Sequence, residues 1–372
     1  MRKLILITGG AGFIGSHLCD ELLAHGYRVR ILDNLSAQVH GPDARKPSYI
    51  SPDVQFVKGS VSDPEAVKKA LRGVTAVFHF AASVGVGQSM YQIHNYTRTN
   101  NLGTAVLLES LLERNVERLI VASSMSVYGE GLYSDGAGSR IESAERTLRQ
   151  LKAGLWEPLS SEGTALSPLA TPETKPPSLA SVYALSKYDQ ERMCMMIGRA
   201  YAIPTVALRF FNVYGSRQAL SNPYTGVMAI FASRFLNNRQ PVIFEDGFQK
   251  RDFVSVFDVV KACRLALETQ KAAGKIFNIG SGNFYTVSDV ASSMSKVLGK
   301  EKITPLISRK YRVGDIRHCF ADISLARKVL GYKPSVTLEK GLIELAGWLE
   351  GQIANDRVDM AHAELVERGL TV

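Results

Sequence analysis

Two segments carry side chains whose types and spacing could move a proton. Ser124 lies in Ser123-Ser-Met-Ser-Val-Tyr-Gly129, directly after an apolar run, and Tyr183 and Lys187 are four residues apart in a helical pattern. Residues at i and i+4 share one helix face, so the ammonium group of Lys187 is expected beside the hydroxyl of Tyr183. A neighbouring positive charge lowers the pKa of a phenol, which is ordinarily about 10. The pattern predicts Tyr183 as a general base, with Ser124 holding a substrate hydroxyl by a hydrogen bond.

A glycine motif near the N-terminus predicts a dinucleotide site. Gly9, Gly12 and Gly15 lie between the apolar run Leu4-Ile-Leu-Ile7 and a helical pattern that begins at Ser16. Glycines in this pattern allow a tight turn, let the backbone approach a pyrophosphate, and let the helix pack closely on the strand. The phosphates then lie at the N-terminus of the helix. The chain is therefore expected to bind a dinucleotide cofactor.

Asp33 bears on which dinucleotide is bound. It ends the predicted strand Arg28-Val-Arg-Ile-Leu32, roughly 20 residues after the glycines, where an acidic residue binds the adenosine ribose. Its carboxylate would repel a 2′-phosphate, and Asn34-Leu-Ser36 offers no arginine to offset that repulsion. NAD is the expected cofactor. The positive nicotinamide of oxidised NAD would act together with Lys187 to lower the pKa of Tyr183. An alcohol held by Ser124 could then give a hydride to NAD while Tyr183 takes the proton.

The composition argues against several other kinds of protein. The chain has 372 residues, 45% of them hydrophobic, and its net charge of +9 is spread along the sequence rather than gathered into a basic run. No nucleic-acid partner is therefore expected. No apolar stretch is long enough to span a bilayer, which predicts no membrane contact and a cytoplasmic location. The four cysteines form neither a CxxC pair nor a ligand cluster, so neither disulfides nor a metal site is expected.

Apolar strands alternate with helical patterns in the first half of the chain. Because parallel strands need helical crossovers, this order predicts an α/β fold with a doubly wound parallel sheet. Ligands are then expected at the carboxyl ends of the strands. After the first two strands, the predicted strands are Val54–Val57, Ala76–Phe80, Arg118–Ala122 and Pro204–Leu208, and the predicted helices between them are Asn95–Leu112 and Tyr183–Tyr201.

The pattern divides the chain into unequal parts. Residues 1–211 are expected to form a NAD-binding Rossmann domain, and residues 212–350 mainly a smaller α/β substrate-binding lobe, with the chain crossing back in part. Residues 130–178 interrupt the first part with a Gly/Ser/Pro-rich stretch and a possible short helix at Ile141–Leu151. We interpret this insertion as a surface loop, with a lid over the site or an oligomer contact as alternatives. Residues 351–372 predict a charged, moderately helical tail. The helices predicted in the second part are Met228–Asn237, Phe257–Thr269, Val287–Leu298 and Leu338–Glu350.

Several motifs occur in an order that is typical of one enzyme family. They are Thr8–Gly15, Asp33-Asn34, Phe80-Ala-Ala82, Asn100–Thr104, Ser124 with Val127-Tyr-Gly129, Tyr183 with Lys187, Arg209–Gly215 and Arg251-Asp-Phe253. In these motifs the chain resembles the extended short-chain dehydrogenase/reductases, in the group of nucleotide-sugar epimerases and dehydratases. The resemblance extends over residues 1 to about 350. It implies a Rossmann fold, NAD as cofactor and a nucleotide-sugar substrate, and a homodimer is expected.

The resemblance implies roles for residues that match the family motifs. The expected catalytic residues are Ser124, Tyr183 and Lys187. The expected cofactor-binding residues are Gly9, Gly12, Phe13, Ile14, Gly15, Asp33, Asn34, Ser60, Val61, Phe80, Ala81, Ala82, Asn100, Tyr183 and Lys187. The expected substrate-binding residues are Val86, Ser124, Ser126, Asn212, Arg251 and Arg317. Among them, Arg251 and Arg317 would hold the phosphates, and Asn212 would contact the sugar diphosphate.

Two positions between Ser124 and Val127 bear on the reaction. Relatives that dehydrate the sugar typically have Asp-Glu there, and decarboxylating relatives generally have a glutamate at the second position. This chain has Met125 and Ser126, neither of which can move a proton at neutral pH as a carboxyl group can. The resemblance then implies oxidation at C4 followed by return of the hydride, which is 4-epimerisation without net redox change. A 4-ketoreductase that consumes NAD(P)H and a UDP-glucose-type 4-epimerase remain alternatives.

Some loops refine the resemblance, and others depart from it. Ala81–Met90, Asn222–Gly226 and Phe244–Gly247 are most similar to the subgroup that acts on dTDP-linked 6-deoxyhexoses such as dTDP-L-rhamnose. Family members usually carry an acidic residue near the adenine where this chain has Gly59-Ser-Val61. The gap between Gly129 and Tyr183 is also longer than is common in simple 4-epimerases.

Overall fold

A parallel sheet at the centre of the molecule supports the site. The computed structural model describes residues 2–222, 224, 226–312, 314–352, 356 and 358–371. Within these residues the central sheet consists of β1 (Leu4–Thr8), β2 (Arg28–Asp33), β3 (Gln55–Lys58), β4 (Ala76–His79), β5 (Arg118–Ser124), β9 (Thr205–Phe210) and β14 (Ile276–Ile279). All neighbours pair in parallel, in the order β3-β2-β1-β4-β5-β9-β14. The chain starts in the middle of the sheet and extends it first to one side and then to the other, which confirms the predicted doubly wound parallel sheet.

Helices flank the sheet and continue into the second part of the chain. Those that precede β9 are α1 (Phe13–Ala24), α2 (Ala37–His40), α3 (Pro64–Ala70), α4 (Val86–Ser89), α5 (Ile93–Tyr96), α6 (Gly103–Leu112), α7 (Leu148–Lys152) and α8 (Val182–Ala200). Those that follow it are α9 (Val227–Leu236), α10 (Val256–Glu268), α11 (Val287–Val297), α12 (Ser324–Leu330), α13 (Leu338–Leu349) and α14 (Val358–Glu367). Short 3₁₀ turns lie at Met125–Tyr128 and Gln270–Ala272. A π-helical turn, Thr97–Leu102, joins α5 to α6.

The core lies on both faces of the sheet. On one face α1 and α10 contribute Leu18 and Val259, and on the other α3, α6 and α8 contribute Val67, Leu107 and Cys194, all fully buried. Burial of a leucine or valine side chain contributes about 1.5–3 kcal/mol. A parallel sheet covered on both sides needs strands that are apolar throughout, and β1 is buried at every residue.

Most predicted elements lie where the sequence placed them. The helices α9, α10, α11 and α13 begin and end within one residue of the predicted bounds. The predicted helix Asn95–Leu112 is helical throughout but is α-helical only at its two ends, because the π-helical turn interrupts it. The tail contains the expected helix, α14.

The second part of the chain forms small sheets and also returns to the central sheet. β14 lies beyond residue 212 and pairs with β9 at the edge of the central sheet. Around the site, three small sheets join β10 (Asn212–Tyr214) to β13 (Phe253–Ser255), β11 (Val242–Ile243) to β16 (Leu306–Ile307), and β12 (Lys250–Arg251) to β15 (Tyr285–Thr286) and β17 (His318–Cys319). The domain boundaries given above stay a prediction.

The insertion is a small folded unit. It contains β6 (Leu132–Ser134), β7 (Arg140–Ile141) and β8 (Ser167–Leu169), which form one antiparallel sheet. The predicted helix Ile141–Leu151 is wrong in extent, since Ile141 ends β7 and the helix begins at Leu148, after Thr147 as its N-cap. The unit is fixed to the protein by the buried Lys175, whose ammonium group donates to the carbonyl oxygen of Tyr128 at 2.6 Å. In the described part of the chain, no residue of the insertion lines the cavity described below, so the structure does not support a lid.

Some further features concern the rest of the molecule. No helix among the described residues has the length and apolar character needed to cross a membrane. Within the same residues, His, Cys, Asp and Glu side chains form no group of three that could hold a metal ion. The four cysteines are buried as free thiols.

Candidate active site

A cavity of about 770 Å³ lies at the carboxyl ends of the central strands. Of the expected cofactor-binding residues, it is lined by Gly9, Gly12, Phe13, Ile14, Gly15, Asp33, Asn34, Ser60, Val61, Phe80, Ala81, Ala82, Tyr183 and Lys187. Of the expected substrate-binding residues, it is lined by Val86, Ser124, Ser126, Asn212 and Arg251. The fold thus brings together side chains from distant parts of the sequence in one cavity of the size of a ligand site.

The glycine loop leaves room for phosphates at the start of α1. Gly9 has φ +69°, and a Cβ atom there would lie 2.8 Å from the backbone nitrogen of Ala81. A Cβ at Gly15 would lie 2.5 Å from the carbonyl oxygen of Gly9. Gly12 is the N-cap of α1, and no described side chain caps the helix there. The first backbone N–H groups of α1 therefore remain available for an anion, as a dinucleotide pyrophosphate requires.

The carboxylate of Asp33 is fixed in orientation at the end of β2. Its Oδ2 accepts a hydrogen bond from the backbone N–H of Ala11 at 3.0 Å, and its Oδ1 accepts one from that of Leu35 at 2.8 Å. Both oxygens keep further lone pairs, and Asp33 lines the cavity. His40 Nε2 lies 3.9 Å from the carboxylate, and burial lowers the pKa of this histidine against the opposing effect of Asp33. The carboxylate oxygens of Asp33 can therefore accept hydrogen bonds from the two hydroxyl groups of a ribose.

The start of α8 places Tyr183 at the cavity. The hydroxyl of Ser181 accepts a hydrogen bond from the backbone N–H of Ala184 at 3.1 Å, which caps the helix. The backbone N–H of Tyr183 donates to the hydroxyl of Ser89 in α4 at 3.0 Å. The first turn of α8 is therefore held by its own cap and by a neighbouring element.

A buried ion pair fixes α8 to the sheet. Glu191, one turn after Lys187, accepts hydrogen bonds from Arg209 of β9 at 2.6 and 2.8 Å. The hydroxyl of Ser123 in β5 also donates to Glu191, at 2.6 Å. Ser124 directly follows Ser123 in β5. The carboxylate of Glu191 therefore helps to position both Ser124 and α8, the helix that carries Tyr183 and Lys187. Removing one partner of such a pair costs about 3–5 kcal/mol.

Burial changes the acid–base behaviour of the predicted catalytic residues. Burial raises the pKa of Tyr183, and the hydrogen bond with Ser124 acts in the opposite direction. Burial also lowers the pKa of Lys187 to about 8, although Cys194 and Glu191 favour its charged form. In the protein alone, desolvation of the phenolate outweighs the hydrogen bond with Ser124. That Lys187 and an oxidised nicotinamide together lower the pKa of Tyr183 stays a prediction. The positive charge of an oxidised nicotinamide would act in the lowering direction.

The ammonium group of Lys187 has a defined partner. It donates to Oε1 of Gln190 at 2.7 Å, and Nε2 of Gln190 donates to the hydroxyl of Thr104 at 2.9 Å. That hydroxyl lies 2.8 Å from Nε2 of His79. Burial, followed by the charge of Lys187, lowers the pKa of His79 to about 3, so its ring is neutral. A chain of neutral polar groups therefore orients the ammonium group from behind the cavity.

The residues after Ser124 provide no carboxyl group. The 3₁₀ turn that starts at Met125 places both Met125 and Ser126 on the cavity wall. Ser124 donates to the hydroxyl of Ser126 at 3.1 Å. The amide nitrogen of Asn212 lies 3.3 Å from the sulfur of Met125 and donates to the carbonyl oxygen of Asp252 at 2.9 Å. Among the described residues that line the cavity, the carboxylates are Asp33, Glu245, Asp315 and Asp359.

Two arginines line the cavity on the side of the second part. Nη1 of the half-buried Arg251 donates to the carbonyl oxygens of Lys250 and Arg317 at 3.0 and 2.8 Å, which fixes the guanidinium plane. Arg312, which the sequence reasoning missed, lies with its guanidinium carbon 4.6 Å from the ring centre of Phe244. Its Nε donates to Asp315 at 2.8 Å. Both arginines can offer N–H donors to an anionic ligand.

Arg317 was expected to hold the phosphates, but it does not line the cavity. Only 1% exposed, it forms ion pairs with Glu157, Glu245 and Asp246 at 2.5, 3.0 and 2.6 Å. Three carboxylates around one guanidinium group leave it no geometry for a phosphate. The sequence shows that Arg312 and Arg317 lie in one segment. Their spacing does not show which of the two faces the cavity.

Asn100, which was expected to bind the cofactor, also lies outside the cavity lining. It is fully buried, and its amide oxygen accepts a hydrogen bond from the backbone N–H of Ser83 at 2.7 Å. Its amide nitrogen donates to the hydroxyl of Ser186 in α8 at 2.9 Å. Asn100 therefore holds the loop after β4 against α8, and Ser83 of that loop lines the cavity.

The tail also contributes to the cavity, which no pattern in the sequence indicated. Val358, Asp359, Ala361, His362 and Leu365 of α14 line it, as does Leu370. From the loop motif Asn222–Gly226, the residues Asn222, Tyr224 and Gly226 line the cavity. Pro223 and Thr225 of that motif lie outside the described residues.

Comparison with known proteins identifies the family. The model of the NAD dependent epimerase/dehydratase family matches residues 5–148 and 160–280. The dTDP-L-rhamnose 4-epimerase of Burkholderia thailandensis is 33% identical over 355 residues, covering 94% of this chain and 96% of the relative. The solved UDP-glucose 4-epimerase of Thermotoga maritima with UDP-glucose is 31% identical, with a TM-score of 0.76 over 94% of this chain and 99% of that chain.

A second solved structure contains the cofactor. The UDP-glucuronic acid 4-epimerase of Bacillus cereus, in complex with UDP-glucuronic acid and NAD, is 29% identical, with a TM-score of 0.76 over 94% of this chain and 99% of that chain. The glycine loop and Asp33 described above fit NAD by their own geometry. The chain is an enzyme that belongs to the NAD-dependent epimerase/dehydratase family, and NAD is its cofactor.

Proposed function

We propose that the protein is a nucleotide-sugar 4-epimerase that oxidises its substrate transiently at C4 and returns the hydride to the opposite face. The observation that carries the proposal is the group of Ser124, Tyr183 and Lys187 at one cavity, with Met125 and Ser126 as the next residues on its wall. Removing water or carbon dioxide from the sugar needs an additional acid or base, and these two side chains provide none at neutral pH. The 4-epimerases among the relatives support the proposal.

The catalytic residues have distinct tasks in this reaction. Ser124 holds the C4 hydroxyl, and Tyr183, which is hydrogen-bonded to Ser124, takes its proton. Lys187 stabilises the phenolate form of Tyr183 by its charge, and Gln190 holds Lys187 in place. NAD, held by the glycine loop and Asp33, would supply the hydride chemistry at C4. Between the two transfers the 4-keto sugar must turn over in the cavity, and Tyr183 then returns the proton to the oxygen at C4.

The diphosphate of the substrate is assigned to Arg251 and Arg312. Both line the cavity, as does Asn212. Charge-assisted hydrogen bonds from arginine suit phosphate oxygens because the guanidinium group offers several N–H donors in one plane. Arg312 takes the place in this proposal that the sequence reasoning gave to Arg317.

For the sugar and base, we propose a dTDP-linked 6-deoxyhexose such as dTDP-L-rhamnose. The loop motifs Ala81–Met90 and Phe244–Gly247 support this choice, as does the Burkholderia relative at 33% identity. A UDP-hexose is the second candidate, because the similar structure from Thermotoga was solved with UDP-glucose.

The proposed enzyme acts as a homodimer. Leu102 of the π-helical turn and Leu185 of α8 are 49% and 47% exposed, and Met196 further along α8 is 46% exposed. The helices that carry them pack against each other, with Asn101 donating to Asp189 at 2.6 Å across their junction. A shared face with several exposed apolar side chains supports an interface with a second copy.

The product of the reaction tests the proposal. We expect the enzyme to equilibrate dTDP-L-rhamnose with its C4 epimer at constant mass and without added NADH. In heavy water, NMR should show no deuterium at C4, because the hydride returns from the enclosed cofactor. Loss of water from dTDP-glucose, or a strict requirement for stoichiometric NADH, would contradict the proposal. UDP-glucose in a parallel assay decides between the two candidate substrates.

Two variants control this assay. Tyr183→Phe keeps the ring but removes the hydroxyl, so turnover should fall by about 10²–10⁴-fold. Tyr188→Phe is the matched control, since Tyr188 lies on the same helix and packs against the core, outside the cavity lining. It should turn over at close to the wild-type rate.

A further inference from the structure

Three side-chain amides meet in the wall of the cavity. Nε2 of Gln38 donates hydrogen bonds to Oε1 of Gln88 at 3.1 Å and to Oδ1 of Asn222 at 3.2 Å. In return, Nε2 of Gln88 donates to Oε1 of Gln38 at 3.4 Å. All three residues line the cavity. We call this group the amide clasp, because it joins α2, α4 and the loop between β10 and α9, which lie far apart in sequence.

The order of the strands places the amide clasp across the cofactor site. β1 lies between β2 and β4 in the central sheet, and it leads into the glycine loop. Gln38 follows β2, whereas Gln88 follows β4. Their hydrogen bond therefore joins the two segments on either side of the glycine loop. NAD, with its pyrophosphate at that loop and its adenosine ribose at Asp33, would extend beneath the clasp.

The two acceptors of the amide clasp are fixed by further contacts. Oε1 of Gln88 also accepts a hydrogen bond from the hydroxyl of Tyr96 at 3.2 Å, and Oδ1 of Asn222 also accepts one from the backbone N–H of Tyr224 at 3.1 Å. The side chains of Gln88 and Asn222 are buried, since these residues are only 5% and 4% exposed. Gln38 is therefore the member of the clasp that can detach.

The short helix α2, which carries Gln38, buries little of its surface. Ala37, Gln38 and Val39 are all exposed. Elements with few buried apolar contacts can open locally at a low free energy, without unfolding of the rest of the protein. The hydrogen bonds of Gln38 therefore restrain α2 against moving away from α4 and from the loop around Asn222.

We propose that the amide clasp is a gate that retains NAD between turnovers. NAD enters and leaves when Gln38 releases Gln88 and Asn222, and it is enclosed while these hydrogen bonds are formed. Both N–H bonds of the Gln38 amide are used within the clasp, which leaves them none for the cofactor. The clasp therefore controls the rates of release and uptake more than the affinity. The inference needs only the cofactor and does not depend on which nucleotide sugar is bound.

Release of labelled NAD tests the proposal without a turnover assay. The wild type and the variants are loaded with radiolabelled NAD, chased with an excess of unlabelled NAD, and separated from free label by gel filtration at intervals. Gln38→Ala should release the label about tenfold faster than the wild type, because it removes the neutral hydrogen bonds that hold the gate closed. Its Kd for NAD, measured by equilibrium dialysis, should stay close to that of the wild type, since an open gate also accelerates uptake.

Two further substitutions show whether the amides act as one unit. Gln88→Ala should also accelerate release, and it leaves Tyr96 with the carbonyl oxygen of Gly85 as an acceptor at 2.9 Å. The double variant Gln38→Ala/Gln88→Ala should be no faster than Gln38→Ala alone, because both substitutions break the same bond. Gln92→Ala is the matched control, since it removes an amide from the segment between α4 and α5, outside the cavity lining. It should release NAD at the rate of the wild type.

Three results would overturn the proposal. The first is equal release of NAD by the wild type and Gln38→Ala. The second is a Kd that weakens as much as the release rate rises, which would show a direct contact with the cofactor in place of a gate. The third is an additive effect of the substitutions of Gln38 and Gln88, which would show that the amides act separately. None of these results bears on the proposed epimerisation, which is tested by its own assay.

Discussion

At the scale of single residues, the site depends on how strongly burial shifts the pKa values of Tyr183 and Lys187. Burial raises the pKa of Tyr183 and lowers that of Lys187 to about 8, so both charged forms are disfavoured in the protein alone. Burial causes both pKa shifts. Both oppose the charged forms that the proposed reaction needs, which are the phenolate of Tyr183 and the ammonium form of Lys187. The hydrogen bond that Lys187 donates to Gln190 and the hydrogen bond between Tyr183 and Ser124 act against this penalty.

The lowered pKa of Lys187 predicts an alkaline limit to activity. The ammonium group is present below its pKa and is lost as the pH rises through about 8, where an ordinary lysine would stay charged up to 10.5. We expect kcat/KM to decline above pH 8 and to fall about tenfold for each further pH unit. Lys187→Arg should keep its charge, so its profile should stay flat to pH 10 even if its maximum is lower. The same decline in both proteins would show that another group titrates there.

At the scale of elements, the segment between β16 and β17 decides which arginine meets the ligand. Gly314 adopts φ +81°, a conformation that side chains rarely tolerate, and turns the chain between Arg312 and Arg317. Arg312 thereby lines the cavity, while Arg317 enters a group of carboxylates that includes Glu157 from the insertion. The insertion therefore supports the site from behind, by fixing the segment that carries Arg312.

Substitution of the two arginines should separate binding from stability. Arg312→Ala removes charge-assisted hydrogen bonds of about 1.5–3 kcal/mol, so binding of UDP or dTDP should weaken by roughly 10–100-fold with little change in unfolding. Arg317→Met removes the cation that Glu157, Glu245 and Asp246 share, although Glu245 keeps its pair with Arg146, and should lower the free energy of unfolding by about 3–5 kcal/mol. Calorimetric titration and denaturant unfolding measure the two effects. The reverse pattern would return the phosphate role to Arg317.

At the scale of the whole molecule, the catalytic helix is also the helix expected at the subunit interface. Tyr183 and Lys187 face the cavity, whereas Leu185 between them is 47% exposed on the other side. Stable interfaces bury about 1,600 Å² in total, and two helices from each copy can supply such an area. An interface there would also restrain α8, and with it the catalytic tyrosine.

Light scattering on the protein as it elutes from a size-exclusion column tests the dimer. We expect the mass of two chains for the wild type and of one chain for Leu185→Glu, because a buried glutamate without a partner would oppose association. Leu155→Glu is the matched control, since Leu155 is 55% exposed on the insertion, away from these helices. A monomeric wild type, or a Leu185→Glu variant that stays dimeric, would contradict this arrangement.

The sequence alone determined the parts of this protein that depend on local chemistry. The glycine loop, Asp33 and the spacing of Tyr183 and Lys187 predicted the cofactor and the central sheet, because each motif carries its own backbone or helix geometry. The bounds of the amphipathic helices were predicted to within one residue in the second part of the chain. These features need no knowledge of distant contacts.

Tertiary structure decided which polar groups meet the ligand. Asn100 and Arg317 match family motifs, yet Ser83 and Ser186 hold the first, and the second pairs with Glu157, which lies 160 residues away in sequence. The lining of the cavity by α14 likewise depends on contacts with α4 and with the loop around Tyr224. A polar side chain faces a ligand or a protein partner according to which partners the fold brings near it, and local periodicity carries no record of those distant partners.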